Sequence, residues 1–276
     1  MGGQPQMRWS GSGTVQTLPN GLRVVCQTRF ELKHFYDDIF EKQVYVQNGI
    51  TLADGACVLD VGANIGLFAI FVQEKWPDSF VYAFEPAPPL FELLQKNVAR
   101  YGSNVRCFNC GLSHRSGKIS FTFYPNSSGM SSFYADREEE KEVLMAVLEN
   151  EAQKGSPEVE DLMPHLDEYL AMRLETETFE CHLATLSGVI REHGIEQIDL
   201  IKIDAQKSEW DILQGLEDGD WRKVRQFVLE VHDFEGRLAR ISELLKARGY
   251  DVSTQQDELY QGSKMHNLYA LRPDRG

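Results

Sequence analysis

Along most of this chain the hydrophobic positions alternate between two periods. Cys57–Val61, Phe80–Phe84, Val105–Cys110, Ile198–Ile203 and Phe227–Val231 are short, mostly apolar runs, as expected of strands buried on both faces. Helical spacing follows several of them: Ile65, Phe68, Ala69 and Val72; then Leu90, Leu93, Leu94 and Val98 after Pro88-Pro89; then Ser208–Leu216 and Arg237–Arg248. Strands alternating with helices predict a mostly parallel sheet with right-handed crossovers. Asp251–Ser253 and Asn267–Leu271, joined by a polar loop, predict an antiparallel edge.

Two regions depart from this alternation. Thr14–Thr28 reads as a hairpin turning at Pro19-Asn20-Gly21, and Glu31–Val46 carries Phe35, Ile39, Phe40 and Val44 at helical spacing. After the third strand, Lys118–Tyr124 alternates like a strand and Pro125–Gly129 is rich in turn residues. An acidic stretch follows, with Val143, Leu144, Val147 and Leu148 forming one apolar stripe. Gly155-Ser156-Pro157 interrupts it before a second amphipathic piece at Leu166–Leu170. The expected organisation is a flexible lead-in or linker at 1–13 and a single domain at 14–276. Within that domain, 14–55 form a hairpin and helical cap, and 125–180 an acidic helical lid.

Charge sharpens this division. The formal net charge is −14, and between Asp136 and Glu180 there are 15 acidic against 4 basic residues, which leaves −3 for everything else. Acidity therefore belongs to the insertion, and it disfavours nucleic-acid partners, whose phosphates require neutralisation. No stretch approaches the run of apolar residues that a membrane span needs, and the N-terminus has no apolar signal region. Five cysteines (Cys26, Cys57, Cys107, Cys110 and Cys181) follow no disulfide framework, which suits reduced thiols and a cytoplasmic location. Cys107 and Cys110 have the C-x-x-C spacing but no second pair, so they read as core residues rather than a zinc or redox site.

The candidate chemistry sits at the strand ends, where an open parallel sheet binds its ligands. Asp60-Val61-Gly62-Ala63-Asn64-Ile65-Gly66 fits D-x-G-x-N-x-G, not the G-x-G-x-x-G fingerprint of nicotinamide and flavin proteins. That difference, together with the layout of elements, points to S-adenosylmethionine and the class I methyltransferase fold. Asn64 is placed to hydrogen-bond the cofactor's amino-acid end, while Asp60 either holds a cofactor group or orders the turn. Glu85, in Phe84-Glu85-Pro86, suits acceptance from ribose hydroxyls, or alternatively caps the helix that begins at Pro88-Pro89. Cys110-Gly111 lies where adenine is expected. Two further strand ends supply reactive groups: Asp204 after Ile201-Lys202-Ile203, and Glu230 with His232 in Leu229–Asp233. His232 is the candidate general base, with Glu230 or Asp204 orienting its ring. A structural His–carboxylate pair and a divalent metal site on Asp204, Glu230 and His232 are the alternatives; no ligand spacing requires the metal, and none is predicted.

On the motifs around Val58–Gly66, Phe84-Glu85-Pro86, Asn109-Cys110-Gly111-Leu112-Ser113 and Asp199–Asp204, the chain resembles the FkbM family of S-adenosylmethionine-dependent methyltransferases. The family pattern continues Glu-Gly where this chain has Gln206-Lys207. That departure, with Phe123-Tyr124-Pro125 leading to Ser127–Phe133, looks most like O-methyltransferase domains of modular polyketide and mixed peptide-polyketide synthases. The resemblance implies a hydroxyl acceptor on an acyl chain borne by an acyl carrier protein, and a place within a larger multidomain synthase. Arg222-Lys223-Arg225 and Arg237-Arg240 are candidate docking positions for such an acidic partner. A freestanding methyltransferase of a sugar or small natural product, or a binding module without turnover, are the alternatives. Glu85 and the Asp204, Glu230 and His232 group weigh against the last.

Overall fold

The computed structural model describes residues 13–273 except 154 and 156, so the lead-in expected at 1–13 falls almost wholly outside the described residues. The chain starts with the hairpin β1 (Thr14–Thr17) and β2 (Arg23–Cys26), paired from Thr14–Cys26 to Thr17–Arg23. Helix α1 (Arg29–Tyr36) follows, its first turn capped by the Thr28 hydroxyl, which accepts from Glu31 N. It runs on as a π-helical turn at Asp37–Glu41. The alternating core then begins: β3 (Cys57–Val61), α2 (Leu67–Lys75), β4 (Phe80–Phe84), α3 (Pro88–Tyr101) and β5 (Val105–Phe108).

The third strand ends two residues earlier than the apolar run predicts. Asn109 turns its side chain onto the backbone, Nδ2 donating to Glu85 O at 2.9 Å and Pro86 O at 3.1 Å, and the ladder with β4 stops at Phe84–Phe108. The chain then enters a second, smaller sheet, with β6 (Gly111–Leu112) and β7 (Gly117–Phe123) preceding three helices: α4 (Arg137–Gln153), α5 (Pro157–Leu162) and α6 (Leu166–Arg173). Strand β8 (Glu177–Ala184) completes that sheet in the order β6-β8-β7. Hydrophobic pattern had not marked β8. Its exposed positions are Thr178, Glu180 and His182, and pairing with β7 from Glu177–Phe123 to Leu183–Gly117, joined by β6 at Leu183 and Ala184, holds it extended. The strand spans residue 180, where the acidic insertion was expected to end.

The core pattern resumes with α7 (Leu186–His193), β9 (Leu200–Ile203), α8 (Glu209–Gln214), β10 (Gln226–His232), α9 (Arg237–Ala247), β11 (Asp251–Gln255) and β12 (Met265–Leu271). The main sheet has the order β11-β12-β10-β9-β3-β4-β5. β12 runs antiparallel to both its neighbours, and the other pairings are parallel. The antiparallel edge predicted from the last two segments is thus formed, with the final strand inserted between β10 and β11.

Both faces of the sheet are buried, and the two-residue period sorts the side chains between them. Leu59, Val61, Phe84, Ile201, Ile203, Leu229 and Val231 face one cluster, while Val58, Val81, Ala83, Leu200 and Val228 face the other. Two or four residues further along that second face stand Asp60, Lys202, Glu230 and His232, so one face delivers every ionisable strand-end group to the same side. Helix α2 is apolar nearly all round because it lies beneath the N-terminal cap, where Phe40 and Phe71 meet edge to face and Tyr45 meets Phe68. Each such buried side chain contributes about 1.5–3 kcal/mol. Asn97 ties the cap to the core: its amide bonds Val25 N and O on the hairpin and Ile65 O after the glycine-rich turn.

Candidate functional site

A cavity of about 600 Å³ opens at the carboxyl ends of β3, β4, β9 and β10, large enough for a cofactor and an acceptor together. The cap, the glycine-rich turn, the inserted helix α4 and the loop before β12 all line it.

The turn after β3 owes its shape to backbone contacts. Gly62 and Ala63 both donate to Phe84 O, at 3.1 and 2.9 Å, which folds the turn over the end of β4. Gly62 has φ +77°, and a Cβ there would lie 1.8 Å from Asp204 O, so only glycine fits. Asn64 also has positive φ; its N donates to Glu85 Oε2 at 2.9 Å and its Nδ2 to Ser128 Oγ at 3.2 Å. Glu85 Oε1 accepts from Ala87 N at 2.9 Å, so the carboxylate fixes the bend just before α3, which has no side-chain cap, and lines the cavity. Burial pushes its pKa up to about 8, against the pull of those two backbone N–H groups.

Gly62, Ala63, Asn64, Glu85, Pro86, Cys110 and Gly111 line the cavity, but Asp60 and Gly66 do not. Of the two roles expected for Asp60, its position fits ordering the turn. Asp60 is fully buried behind the turn, with Lys202 Nζ 3.0 Å from Oδ1. Neither carboxylate oxygen accepts a well-angled hydrogen bond among the described residues, so the ammonium's charge is what holds it. Gly66 begins α2 at φ +87° and packs against Leu94, which a Cβ would meet at 2.6 Å. Cys107 and Cys110 are free thiols, both pushed up to about 11 by burial. Tyr36 and Tyr124 pack in apolar clusters and do not line the cavity.

At the far strand ends, Lys202 reaches across to the glycine-rich turn and donates to Gly62 O at 2.8 Å; Asp204 Oδ2 lies 3.8 Å from the same ammonium. Burial opposes the charge on Lys202, but Asp60, Asp204 and Glu230 together outweigh it and hold the group above the ordinary lysine range. The Tyr45 hydroxyl donates to Asp204 Oδ2 at 2.8 Å. Glu230 is held well above the usual carboxylate range by desolvation, then by Asp204 and its other acidic neighbours. Its side-chain hydrogen bond is a long one, 3.5 Å from Gln206 Nε2.

His232 lines the cavity, but neither Glu230 nor Asp204 orients it. That role falls to Glu209, whose Oε1 is 3.0 Å from His232 Nδ1. Glu209 is completely buried at the start of α8, where it also accepts from Lys207 N at 2.8 Å and from Arg237 Nη1 at 3.2 Å. With Nδ1–H committed to Glu209, the ring's Nε2 is the acceptor, and no described residue bonds it. No group of three side chains suited to a metal ion occurs among the described residues, so the Asp204, Glu230 and His232 metal alternative is not assembled.

The residues that motif reading missed lie on separate elements. Glu209 stands five residues beyond Asp204, past two consecutive residues with positive φ, Gln206 (+39°) and Lys207 (+70°). Its only sequence signal was the departure from Glu-Gly at those positions. Lys207 bonds two acids of the lid helix, Glu139 at 2.7 Å and Glu140 at 3.1 Å. Among the expected docking positions, Lys223 pairs with Asp220 at 3.2 Å, Arg237 holds Lys207 O and Glu209, and Arg240 stacks on Trp210 at 3.8 Å.

The sheet order, the glycine-rich turn at its first strand and the acidic strand ends define a class I methyltransferase fold. The structure of a methyltransferase FkbM from Methylobacillus flagellatus superposes with a TM-score of 0.52 at 13% identity, covering 85% of this chain and 47% of that one. In sequence, the Methyltransferase FkbM domain profile matches residues 60–252. The chain is 39% identical to the 31-O-demethyl-FK506 methyltransferase FkbM of Streptomyces tacrolimicus, over 95% of its own length and 98% of that protein's. It is 42% identical to the AMB antimetabolite synthetase AmbE of Pseudomonas aeruginosa over 93% of its length, but spans only 12% of AmbE. The chain belongs to the FkbM family of methyltransferases. No helix among the described residues is long and apolar enough to cross a membrane.

Proposed function

We propose that this protein is an S-adenosylmethionine-dependent O-methyltransferase whose acceptor is a hydroxyl on an acyl chain carried by an acyl carrier protein. The observation that carries the reading is the buried Glu209–His232 pair, which presents an imidazole nitrogen to the cavity with its other nitrogen fixed. The donor set fits the cofactor: Glu85 offers carboxylate oxygens to the cavity for a pair of ribose hydroxyls, between the open turn at Gly62–Asn64 and the apolar wall at Leu112 and Phe133.

When bound, S-adenosylmethionine supplies a methyl group on a positively charged sulfur, open to displacement by an oxygen nucleophile. His232 takes the acceptor's hydroxyl proton at Nε2, making that oxygen the nucleophile. Glu209 keeps Nδ1–H directed at its carboxylate and stabilises the imidazolium that forms. Lid helices α4 and α6 cover the cavity with Val143, Leu144, Val147 and Tyr169, which favours exclusion of water from the acceptor. Support for oxygen as the acceptor comes from the Streptomyces relative, named for a 31-O-demethyl substrate. Support for a carrier-bound acceptor comes from AmbE, a synthetase of which this chain matches one part. A free small-molecule acceptor is the second reading, favoured by the same Streptomyces protein, which matches over nearly its whole length.

Intact-mass spectrometry with the cofactor and a panel of hydroxyacyl carrier proteins tests both readings. A gain of one methylene on the acyl hydroxyl is expected; gain only on free small molecules supports the second reading, and gain on neither overturns the assignment. Substituting His232→Ala should lower the rate about 10²–10⁴-fold while leaving cofactor affinity intact. Undiminished turnover in that variant removes His232 as the base.

A further inference from the structure

Two buried charges at the cap side of the cavity make no direct ion pair among the described residues. Glu31, on α1, and Arg173, at the end of α6, are each 8% exposed, and both line the cavity. Among the described residues, no cation lies within 4.0 Å of the Glu31 carboxylate and no carboxylate within 4.0 Å of the Arg173 guanidinium. Each is instead held by neutral groups. Glu31 accepts from the Thr28 hydroxyl at 3.1 Å and Gly129 N at 3.3 Å. Arg173 donates through Nε to Ser127 Oγ at 2.6 Å and through Nη1 to the Tyr169 hydroxyl at 3.1 Å, with the rings of Phe30 and Tyr169 beside it.

Burying opposite charges without letting them meet is costly, and evolution's usual remedy is to pair them directly. Here the loop Ser127–Gly129 stands between them, bonding Arg173 at Ser127 and Glu31 at Gly129. The same loop bonds the glycine-rich turn, where Ser128 Oγ accepts from Asn64 Nδ2. The separated charges therefore lie beside the turn at the first strand end, one from the N-terminal cap and one from the inserted helices. Burial raises the Glu31 pKa and nearby Arg173 pulls it back, so a cation arriving beside the carboxylate would favour its ionised form.

The geometry points to a zwitterion clamp: Glu31 receives the α-ammonium, and Arg173 the α-carboxylate, of the amino-acid end of the methyl donor. This rests on the cofactor reading above and adds to it residues that no strand-end motif contains. It also gives the inserted helices a role in cofactor binding, because α6 supplies Arg173, which lies over the Phe30 ring of α1.

Calorimetric titration with S-adenosylhomocysteine and with 5′-methylthioadenosine, which lacks the amino-acid end, tests the clamp. The wild-type protein should bind S-adenosylhomocysteine far more tightly than the truncated nucleoside. Glu31→Gln and Arg173→Met should each weaken S-adenosylhomocysteine about tenfold or more and leave 5′-methylthioadenosine within about twofold. Equal weakening of both ligands, or of neither, overturns the clamp. A wild-type protein that binds neither ligand overturns the cofactor reading itself. Should either variant fail to fold, decarboxylated S-adenosylmethionine serves with the unaltered protein. Loss of affinity relative to S-adenosylmethionine supports the Arg173 assignment, and equal affinity rejects it.

Discussion

The two ends of the cavity are built in different ways. The glycine-rich end is local: Gly62, Ala63 and Asn64 fold onto the adjacent strand end through backbone bonds to Phe84 and Glu85. The opposite end gathers Glu209 from α8, His232 from β10, Arg237 from α9 and Lys207 from a strained loop. A local turn survives sequence drift as a motif. A convergent site does not, because its members are separated by spacings that loop length can change. Lys202 and Gly62 join the two ends, the first through its ammonium and the second through its close approach to Asp204 O.

Removing the joint should have the largest effect. Lys202→Met leaves Asp60 buried with no counter-charge and is expected to cost about 3–5 kcal/mol, measured by urea unfolding. The deficit should narrow as pH falls, since burial already raises the Asp60 pKa and a neutral carboxyl no longer needs the ammonium. A variant of full stability with impaired methyl transfer alone would show the two ends to be independent. Next, Gly62→Ala forces a side chain against Asp204 O at positive φ and is expected to cost at least about 2 kcal/mol by the same measurement.

The local end should also carry its own pH dependence. Glu85 titrates at about 8 in the folded chain, against an ordinary 4.5, so the folded state holds the extra proton between those values. Its contribution to stability is therefore full below about pH 4.5 and is lost as pH rises through 8. Affinity for S-adenosylhomocysteine should move the other way, tightening by up to about tenfold per pH unit below 8 as the carboxylate ionises to accept hydroxyls. Glu85→Gln should abolish that slope, and a slope that persists would assign it to another group.

The smallest effect concerns the convergent end. Lys207→Gly relieves a positive φ but removes the ion pairs to Glu139 and to Glu140, which is buried like Lys207 itself, and with the backbone relief offsetting part of that loss it should cost about 1–2 kcal/mol. Amide exchange in α4 should nevertheless accelerate, while that in β9 stays unchanged. Equal exchange in α4 would mean that the lid is held by its apolar contacts with Tyr124, Leu170 and Leu174 alone.

Much of this was legible beforehand. Five parallel strands, their helices, the hairpin and the antiparallel edge followed from period and turn residues, because burial on two faces leaves long apolar runs. Strand β8 was not, since its exposed Glu and His positions carry no pattern and its pairing with β6 and β7 makes it a strand. At the site, His232 stands at a strand end, as the two-residue period predicts, but its partner is neither of the strand-end acids Glu230 and Asp204. Glu230 and Asp204 share its neighbourhood; Glu209 shares its hydrogen bond, because the left-handed pair Gln206-Lys207 turns the start of α8 back toward β10.

By itself, the sequence determined the succession of strands and helices in the alternating core, the shape of the turn at Gly62–Gly66 and membership of a methyltransferase family. Each of those depends on residues close together in the chain, where steric rules act directly. The tertiary structure decided which carboxylate holds His232, why Asp60 is withdrawn from the cavity, and that Glu31 and Arg173 face it unpaired. Such choices turn on distances of an ångström between residues up to 142 positions apart, and only packing sets distances of that kind.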